Sequence, residues 1–371
     1  MSPDPTEPRV HGEVILYRLF DVGYAIALDR AFEQLSSSAP ERRRPSRGEA
    51  QTIRIPNPPV TVGLGTETVE LGGVPVEAEV SARLFDFGVV SMRAKVRAPE
   101  GLGWDAFSQW GAAVHAASWT DRLAKVRDRL LERIGTSIEQ PVVFPLTEDY
   151  TVFRVNQLLD AEGKPFPPDE LHDGEVSRLL LGERRALTNE ARKELLSPRL
   201  GYFADDLVVL TWNTALVIEP DTDDTDVQYV LEFANAQLLE LRWYDSVLEA
   251  EVPAIQTRFM QARQGFRVMG RRYSRLLEEL QRLVADSVEL MERLENSLRV
   301  TDDVFLARVY SAALEEFRER SWRKGIDRKI AIVRDAYDML NAESLARRSE
   351  TLEIAIILLI LFEIVLSLLR H

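Results

Sequence analysis

The C-terminal end of this chain constrains its fold more than any other stretch, because residues 354–369 form an almost wholly apolar run, IAIILLILFEIVLSLL. As a helix, such a run spans about 24 Å, against about 30 Å for the hydrocarbon core of a bilayer. Leu352 and the long side chains of Glu353 and Arg370 extend its reach. Residues 351–371 are therefore predicted to form a transmembrane helix that anchors the protein at its C-terminus.

Glu363 lies in the middle of this run and raises the cost of insertion by about 2.5–3.5 kcal/mol. About a dozen Leu and Ile residues, each contributing about 0.3–0.6 kcal/mol, offset that cost. Glu363 and Ser367 are four positions apart, so they share one face of the helix. This spacing favours a polar stripe facing a second copy of the helix, and it predicts a homo-oligomeric anchor. The residues expected to contact lipid or the second copy are Ile354, Ile357, Leu358, Leu361, Glu363, Ile364, Ser367 and Leu368.

The orientation of the predicted anchor follows from the basic residues beside it. Arg347 and Arg348 precede the apolar run and Arg370 follows it, so the bulk of the chain is expected on the cytoplasmic side of a single-pass anchor. The stretch MSPDPTEPRVHG, residues 1–12, is Pro-rich and lacks the apolar core of a signal peptide. We expect it to be a disordered tail.

Residues 13–220 are predicted to form an α+β domain built around an antiparallel sheet. EVILYRLF (13–20) and the alternating runs between residues 51 and 98 are typical of strands. GWDAFSQWGAAVHAA and WTDRLAKVRDRLLERIG have the apolar spacing of helices. DDLVVLTWNTALVIEP (205–220) predicts two strands with a turn at Trp212 and Asn213.

Two blocks of this domain resemble each other, ARLFDFGVVSMRAKV and YFADDLVVLTWNTALVI. Each places an aromatic residue and an Asp before a β-branched hairpin. A duplicated ferredoxin-like unit would explain the likeness. Because short β runs also resemble one another by coincidence, both explanations stay open.

Residues 221–350 are predicted to form a helical hairpin or coiled coil. VQYVLEFANAQLLELRWYDSVLEAEV is strongly periodic, and Pro253 is expected to start or kink a helix. Between residues 273 and 298, apolar side chains recur at alternating steps of three and four, the heptad pattern of a coiled coil. The polar stretch RVTDD (299–303) separates this pattern from a second periodic run at residues 326–340. Two long helices joined by a short break predict an antiparallel pair.

The sequence carries no signature of a common catalytic or cofactor site. It contains no cysteine, and none of its four histidines has the spacing of a metal-ligand pair. GLGTET lacks the third glycine and the following helix of a dinucleotide site, and neither a P-loop nor a nucleophile elbow is present. We therefore expect no cofactor and no metal, and the protein is predicted not to be an enzyme.

Two charged clusters have both a functional and a structural interpretation. The acidic run DTDDTD (221–226) precedes a predicted helix, where carboxylates cap free N–H groups, and this explains it better than a Ca²⁺ loop. Arg320, Arg323, Lys324 and Arg328 form a candidate basic contact face for RNA or a ribosome, although interleaved acids favour a solvated helix face. The net charge of −14 argues against a DNA partner.

Four stretches together resemble the family named for being required for meiotic nuclear division. They are FDFGVVSMRAKV, EFANAQLLELRWYDSVLE, VTDDVFLARVYSAALEEFRERSWRKGIDRKIAIVRDAYDMLNAE and LEIAIILLILFEIVLSLL. The resemblance covers about Arg83 to Leu369. It implies an N-terminal α/β region, long C-terminal helices and a terminal membrane helix, and it brings no established catalytic residues. Some eukaryotic members are mitochondrial inner-membrane proteins linked to organelle translation.

The sequence thus predicts a non-enzymatic, membrane-anchored scaffold or assembly protein. Its expected partners are membrane lipid, a second copy of itself and a protein or ribosomal component. Two alternatives stay open. An enzyme or small-molecule sensor would need a pocket of convergent carboxylates in the α+β domain, for example Asp86, Asp205 and Asp206. A membrane tether for a ribosome or RNA would use the basic face.

Overall fold

The computed structural model describes residues 7–42, 53–54, 57–142, 144–182, 187–220, 226–264, 269–297, 299–300 and 304–369. The chain forms two compact units that do not follow chain order. Unit 1 comprises Met1–Arg242 and Arg293–Arg320, and unit 2 comprises Trp243–Glu292 and Ser321–His371.

Unit 1 is built around one large sheet. The strands in chain order are β1 (Arg9–Asp21), β2 (Gly23–Ile26), β3 (Ile53–Arg54), β4 (Val60–Leu71), β5 (Val74–Leu84), β6 (Val89–Arg97), β7 (Leu102–Gly103), β8 (Ile138–Pro141), β9 (Thr147–Leu159), β10 (Arg199–Leu200), β11 (Leu207–Leu210), β12 (Thr214–Ile218) and β13 (Arg299–Val300). The first strand begins at Arg9, inside the stretch expected to be a disordered tail. The predicted turn at Trp212 and Asn213 lies between β11 and β12, as expected.

The helices complete both units. In chain order they are α1 (Leu28–Gln34), α2 (Trp104–Ala116), α3 (Thr120–Ile134), α4 (Asp173–Leu181), α5 (Asn189–Leu195), α6 (Asp226–Gln264), α7 (Met269–Ser297), α8 (Val304–Glu316) and α9 (Glu319–Leu369). The helices predicted from GWDAFSQWGAAVHAA and WTDRLAKVRDRLLERIG are confirmed as α2 and α3. Pro253 lies inside α6 rather than at its start. The acidic run at 221–225 lies outside the described residues.

The strand order of the large sheet is β10-β11-β12-β9-β1-β6-β5-β4, and β7 also pairs with β1. Neighbouring strands are antiparallel except β12 and β9, which are parallel. The α+β class is confirmed, but the sheet is mixed, and the prediction of an antiparallel sheet is wrong on this point. The chain returns beside β9 in the same direction because α4 and α5 lie in the connection that leads back to the sheet. Both candidate repeat blocks lie in this single sheet.

Helices cover both faces of the sheet at its centre. Val14 and Phe153 are cross-strand partners on one face, where they belong to the main hydrophobic core with α2, α3 and α4. The opposite face carries Arg83 and Tyr150, which contact α6 and the end of α8. Both faces of β1 are therefore buried, as is usual for a strand in the middle of a layered α and β structure.

At Gly88, two backbone segments approach each other closely beside the edge of this core. Its φ of +96° is a conformation that side chains disfavour, and an added Cβ would collide with the carbonyl oxygen of Gly23. The backbone N–H of Val22 donates to the Gly88 carbonyl over 3.1 Å. This contact fixes the chain just after Asp21, the last residue of β1.

Unit 2 consists of helical segments with periodic burial. Ile326, Ile330, Val333 and Leu340 are buried along α9, at the positions that the sequence pattern predicts. On α7, Leu280 and Ser287 are buried seven residues apart, in agreement with the heptad pattern.

The prediction of a terminal transmembrane helix is wrong. Among the residues that the structure describes, no helix is long and apolar enough to cross a membrane. The described side chains of the apolar run extend from Leu352 to Leu366. A helix of that length spans only about 22 Å, against about 30 Å of hydrocarbon, and it contains Glu353 and Glu363. The predicted localisation, a single-pass membrane protein with the bulk of the chain cytoplasmic, depends on this helix and is therefore wrong as well.

Candidate functional site

Among the described side chains of unit 2, the most exposed apolar surface is the stretch Leu352–Leu366 of α9, which we call the apolar segment. All 15 of its residues are exposed, and 13 of them are apolar, the exceptions being Glu353 and Glu363. Its large side chains are between 44% and 66% exposed. Helices that are apolar on every side are normally buried, and large exposed apolar patches mark interaction sites. The apolar segment is therefore a candidate interaction site.

The apolar segment contains most of the predicted contact residues. Those that the structure describes as exposed are Ile354, Ile357, Leu358, Leu361, Glu363 and Ile364. The side chains of Ser367 and Leu368 lie outside the described residues. The predicted polar stripe of Glu363 with Ser367 thus stays a prediction.

The predicted basic face lies near the start of α9. Arg320, Lys324 and Arg328 are exposed, whereas Arg323 is half-buried. The next cation along the helix, Lys329, is half-buried as well, and its Nζ lies 2.9 Å from Asp245 Oδ1 on α6. The structure therefore places three of the four predicted cations in solvent.

The three carboxylates named as a candidate pocket have different local surroundings. Asp206 is buried, and its Oδ1 accepts hydrogen bonds from the backbone N–H groups of Tyr202 (2.7 Å) and Phe203 (3.1 Å), which stabilise the loop before β11. Asp86 accepts a hydrogen bond of 3.2 Å from Asn57, and Asp205 is exposed. Within the described part of the chain, no three His, Cys, Asp or Glu side chains are arranged to hold a metal ion.

Sequence reasoning missed an unusual site in unit 1, the first half of α6. All fifteen residues from Val227 to Leu241 are buried. Five of them are polar, and they are Gln228, Glu232, Asn235, Gln237 and Glu240. We call this stretch the buried polar segment. The burial of polar groups is costly unless they find partners, so their contacts determine how α6 is held on the sheet.

Ion pairs and hydrogen bonds connect the buried polar segment to distant parts of unit 1. Glu232 forms an ion pair with Arg83 of β5, and both side chains are nearly inaccessible to solvent. The Arg83 guanidinium also lies 4.9 Å from the centre of the Tyr229 ring, a cation–π distance. Gln237 accepts a hydrogen bond from the hydroxyl of Tyr310 on α8. These contacts fix the helix against the sheet on one side and against α8 on the other.

A buried pair of carboxyl groups completes this region. Asp21, at the end of β1, and Glu240, on α6, are 4% and 2% exposed. Burial raises the pKa of Asp21 to about 7, although a hydrogen bond of 3.2 Å from the backbone N–H of Gly23 acts to lower it. Burial also raises the pKa of Glu240 well above its ordinary value, and the neighbouring Asp21 charge raises it further. Both carboxyls are therefore predominantly neutral in mildly acidic solution.

A sequence signal for this region exists. The polar residues Gln228, Glu232 and Asn235 recur at steps of four and three, which places them on one face of a helix. Such a stripe normally indicates a solvated face. The ion pair of Glu232 with Arg83 shows that it is instead an internal face.

The chain belongs to the family described as "Uncharacterized protein MJ0711, N-terminal domain", which matches residues 11–225. It is similar to the uncharacterised protein MJ0711 of Methanocaldococcus jannaschii, with 22% identity over 249 residues, or 66% of this chain and 74% of that protein. No solved structure matches the chain. The family match covers the sheet of unit 1 and ends just before the buried polar segment.

Proposed function

We propose that the protein is a non-enzymatic scaffold that assembles with further copies of itself through the apolar segment and so presents unit 1 in several copies. One observation carries this proposal: thirteen apolar side chains lie within fifteen consecutive exposed positions. This proposal shares the scaffold function predicted from the sequence but does not include a membrane anchor.

A second copy of the chain is the partner that we assign to this surface, because the apolar surface extends around the whole helix. A helix that is apolar all round needs neighbours on several sides, which a single groove on another protein does not supply. Symmetric association of identical helices supplies them. The exposed apolar area per chain is on the order of 1,000 Å², comparable with the ~800 Å² that each partner buries in a stable interface.

The remainder of α9 supports this assignment. Ile326, Ile330, Val333 and Leu340 are buried within the chain, so that part of the helix already has its packing partners. The large side chains from Leu352 onward are exposed instead. The need for an external partner is thus concentrated at one end of the helix.

The double variant Leu358→Glu/Leu361→Glu tests this proposal by light scattering coupled to size-exclusion chromatography. The wild-type chain is expected to elute as an oligomer, and the variant as a monomer, because two added charges per helix would have to be buried in the interface. A matched control is Ile332→Glu, which adds a charge at an exposed position of the same helix, outside the apolar segment. It is expected to keep the wild-type mass.

Two results would overturn the proposal. One is a monomeric wild-type chain at the concentrations at which the protein is stable. The other is a double variant that has the same mass as the wild type.

A second candidate function, a tether for RNA, is favoured by the exposure of Arg320, Lys324 and Arg328. It predicts RNA that co-purifies with the wild type at low salt and is lost when the three cations are changed to Gln. The oligomeric mass would not change in that variant, so the two functions are separable.

A further inference from the structure

A cleft of about 560 Å³ lies at one end of unit 1, beside the turn between β11 and β12. The end of α5 and the end of α8 form its other walls. The residues that line it include Glu194, Trp212, Asn213, Glu315, Glu316 and Arg318. Its volume lies within the usual range for sites that bind small molecules.

The wall that carries Trp212 is rigid. The Tyr150 hydroxyl lies 3.2 Å from the carbonyl oxygen of Thr211 and 3.0 Å from that of Thr214. The Thr214 hydroxyl donates to the carbonyl oxygen of Leu180 over 2.8 Å. These bonds hold both ends of the turn, so the position of Trp212 is determined before any ligand arrives.

The indole ring of Trp212 is supported from behind but stays open to solvent. It packs edge-on against the buried Phe317 ring, with 6.2 Å between ring centres, and Phe317 packs in the same way against Tyr150. Trp212 is nevertheless 43% exposed. A large aromatic ring that is fixed in place and solvent-exposed is a platform for an aliphatic chain or a cation.

The charges around the cleft are unbalanced. Three carboxylates, those of Glu194, Glu315 and Glu316, line it together with one guanidinium, that of Arg318. No described residue forms a salt bridge or a side-chain hydrogen bond with any of these four side chains. Burial raises the pKa of Glu316, and the Glu315 charge raises it further, while Arg318 acts in the opposite direction. An added cation would relieve this repulsion.

We propose that this cleft binds a small organic zwitterion with an excess of positive charge, of the basic amino acid type. The cationic end lies among the carboxylates, the aliphatic chain lies along the Trp212 ring, and Arg318 binds the carboxylate of the ligand. The scaffold would then carry a small-molecule sensor site. This site differs from the pocket considered from the sequence, since its carboxylates are not Asp86, Asp205 and Asp206.

Calorimetric titration of the full chain with L-arginine and with L-citrulline tests the charge requirement. The two ligands are nearly equal in shape, but only arginine carries the side-chain cation. Arginine is expected to bind at least tenfold more tightly, because citrulline cannot compensate the carboxylates. Agmatine, which keeps the cation and lacks the carboxylate, is expected to bind more weakly than arginine if Arg318 has the proposed role.

Substitutions of the cleft residues test whether arginine binds in this cleft. Glu315→Gln/Glu316→Gln is expected to weaken arginine binding at least tenfold, and Trp212→Leu at least threefold. Glu132→Gln, a change of an exposed glutamate on α3, is the matched control and is expected to bind as the wild type does. The double Gln variant removes repulsion, so its melting temperature is expected to be no lower than that of the wild type.

The proposal is overturned if the wild type does not bind arginine at millimolar concentration, or if arginine and citrulline bind equally. It is also overturned if the folded double Gln variant binds arginine with unchanged affinity. Binding is measured per chain, so these results do not depend on the state of assembly.

Discussion

Two stretches of fifteen residues, Val227–Leu241 and Leu352–Leu366, differ in how their amino-acid composition relates to their solvent exposure. The first carries five polar side chains and is buried throughout, and the second is apolar except for two glutamates and is exposed throughout. Hydropathy alone would place the polar face of the first in solvent and the whole of the second in a core. The difference teaches that burial depends on available partners: Glu232 forms an ion pair with Arg83 within the chain, whereas the side chains of the apolar segment are exposed in the single chain and are covered by a second copy only in our proposal.

The largest expected effect comes from breaking the contacts of the buried polar segment. Glu232→Ala leaves the Arg83 guanidinium buried without its carboxylate, which is expected to lower the free energy of unfolding by about 3–5 kcal/mol. Urea unfolding of purified protein measures this loss. The control Glu79→Ala removes a more exposed partner of Lys95 and Arg97, and it is expected to cost less than ~1 kcal/mol. Equal losses for the two variants would contradict the role given to the buried pair.

A pair of identical substitutions sharpens the comparison. Leu231→Ala removes a fully buried side chain of α6 and is expected to cost about 2–5 kcal/mol. Leu361→Ala removes a 58% exposed side chain of the apolar segment. In dilute, dissociated protein it is expected to change the free energy of unfolding by no more than ~0.5 kcal/mol, while it weakens self-association. A large intrinsic cost of Leu361→Ala would mean that this segment is covered within its own chain.

A smaller, pH-dependent effect is expected from Asp21. Folding raises the pKa of this residue from 3.8 to about 7, so the folded state binds the proton more tightly than the unfolded state. The resulting stabilisation is complete below about pH 4 and is lost as the pH rises through 7. Asp21→Asn should therefore raise the melting temperature by several degrees at pH 8 and leave it nearly unchanged at pH 4. A shift of equal size at both pH values would show that the buried charge is not the cause.

Local features of the fold could be predicted from the sequence. The strand that contains EVILYRLF, helices α2 and α3 and the turn at Trp212 and Asn213 follow from local periodicity and turn chemistry, and the structure contains all of them. The parallel pairing of β12 with β9 depends instead on how the chain returns after α4 and α5, which no local pattern encodes.

The candidate sites were predictable only in part. The apolar segment is a continuous run and is visible in the sequence, although its environment is not. Arg83 and Glu232 are 149 positions apart, and neither residue type indicates burial on its own. The carboxylates of the cleft likewise come from α5 and α8, which only the tertiary fold brings together.

The interleaved course of the chain has a consequence for biosynthesis. Unit 1 is completed by residues Arg293–Arg320, so β13, the partner of β3, and helix α8 reach it after Trp243–Glu292 have been made. At about 5–20 residues per second, a ribosome needs roughly 3–10 s for that interval. Until then Tyr150 lacks its Phe317 contact and Gln237 lacks the Tyr310 hydroxyl. The nascent unit 1 therefore lacks part of its packing during this interval, and a chain that terminates after Arg242 is expected to aggregate more readily than the full chain.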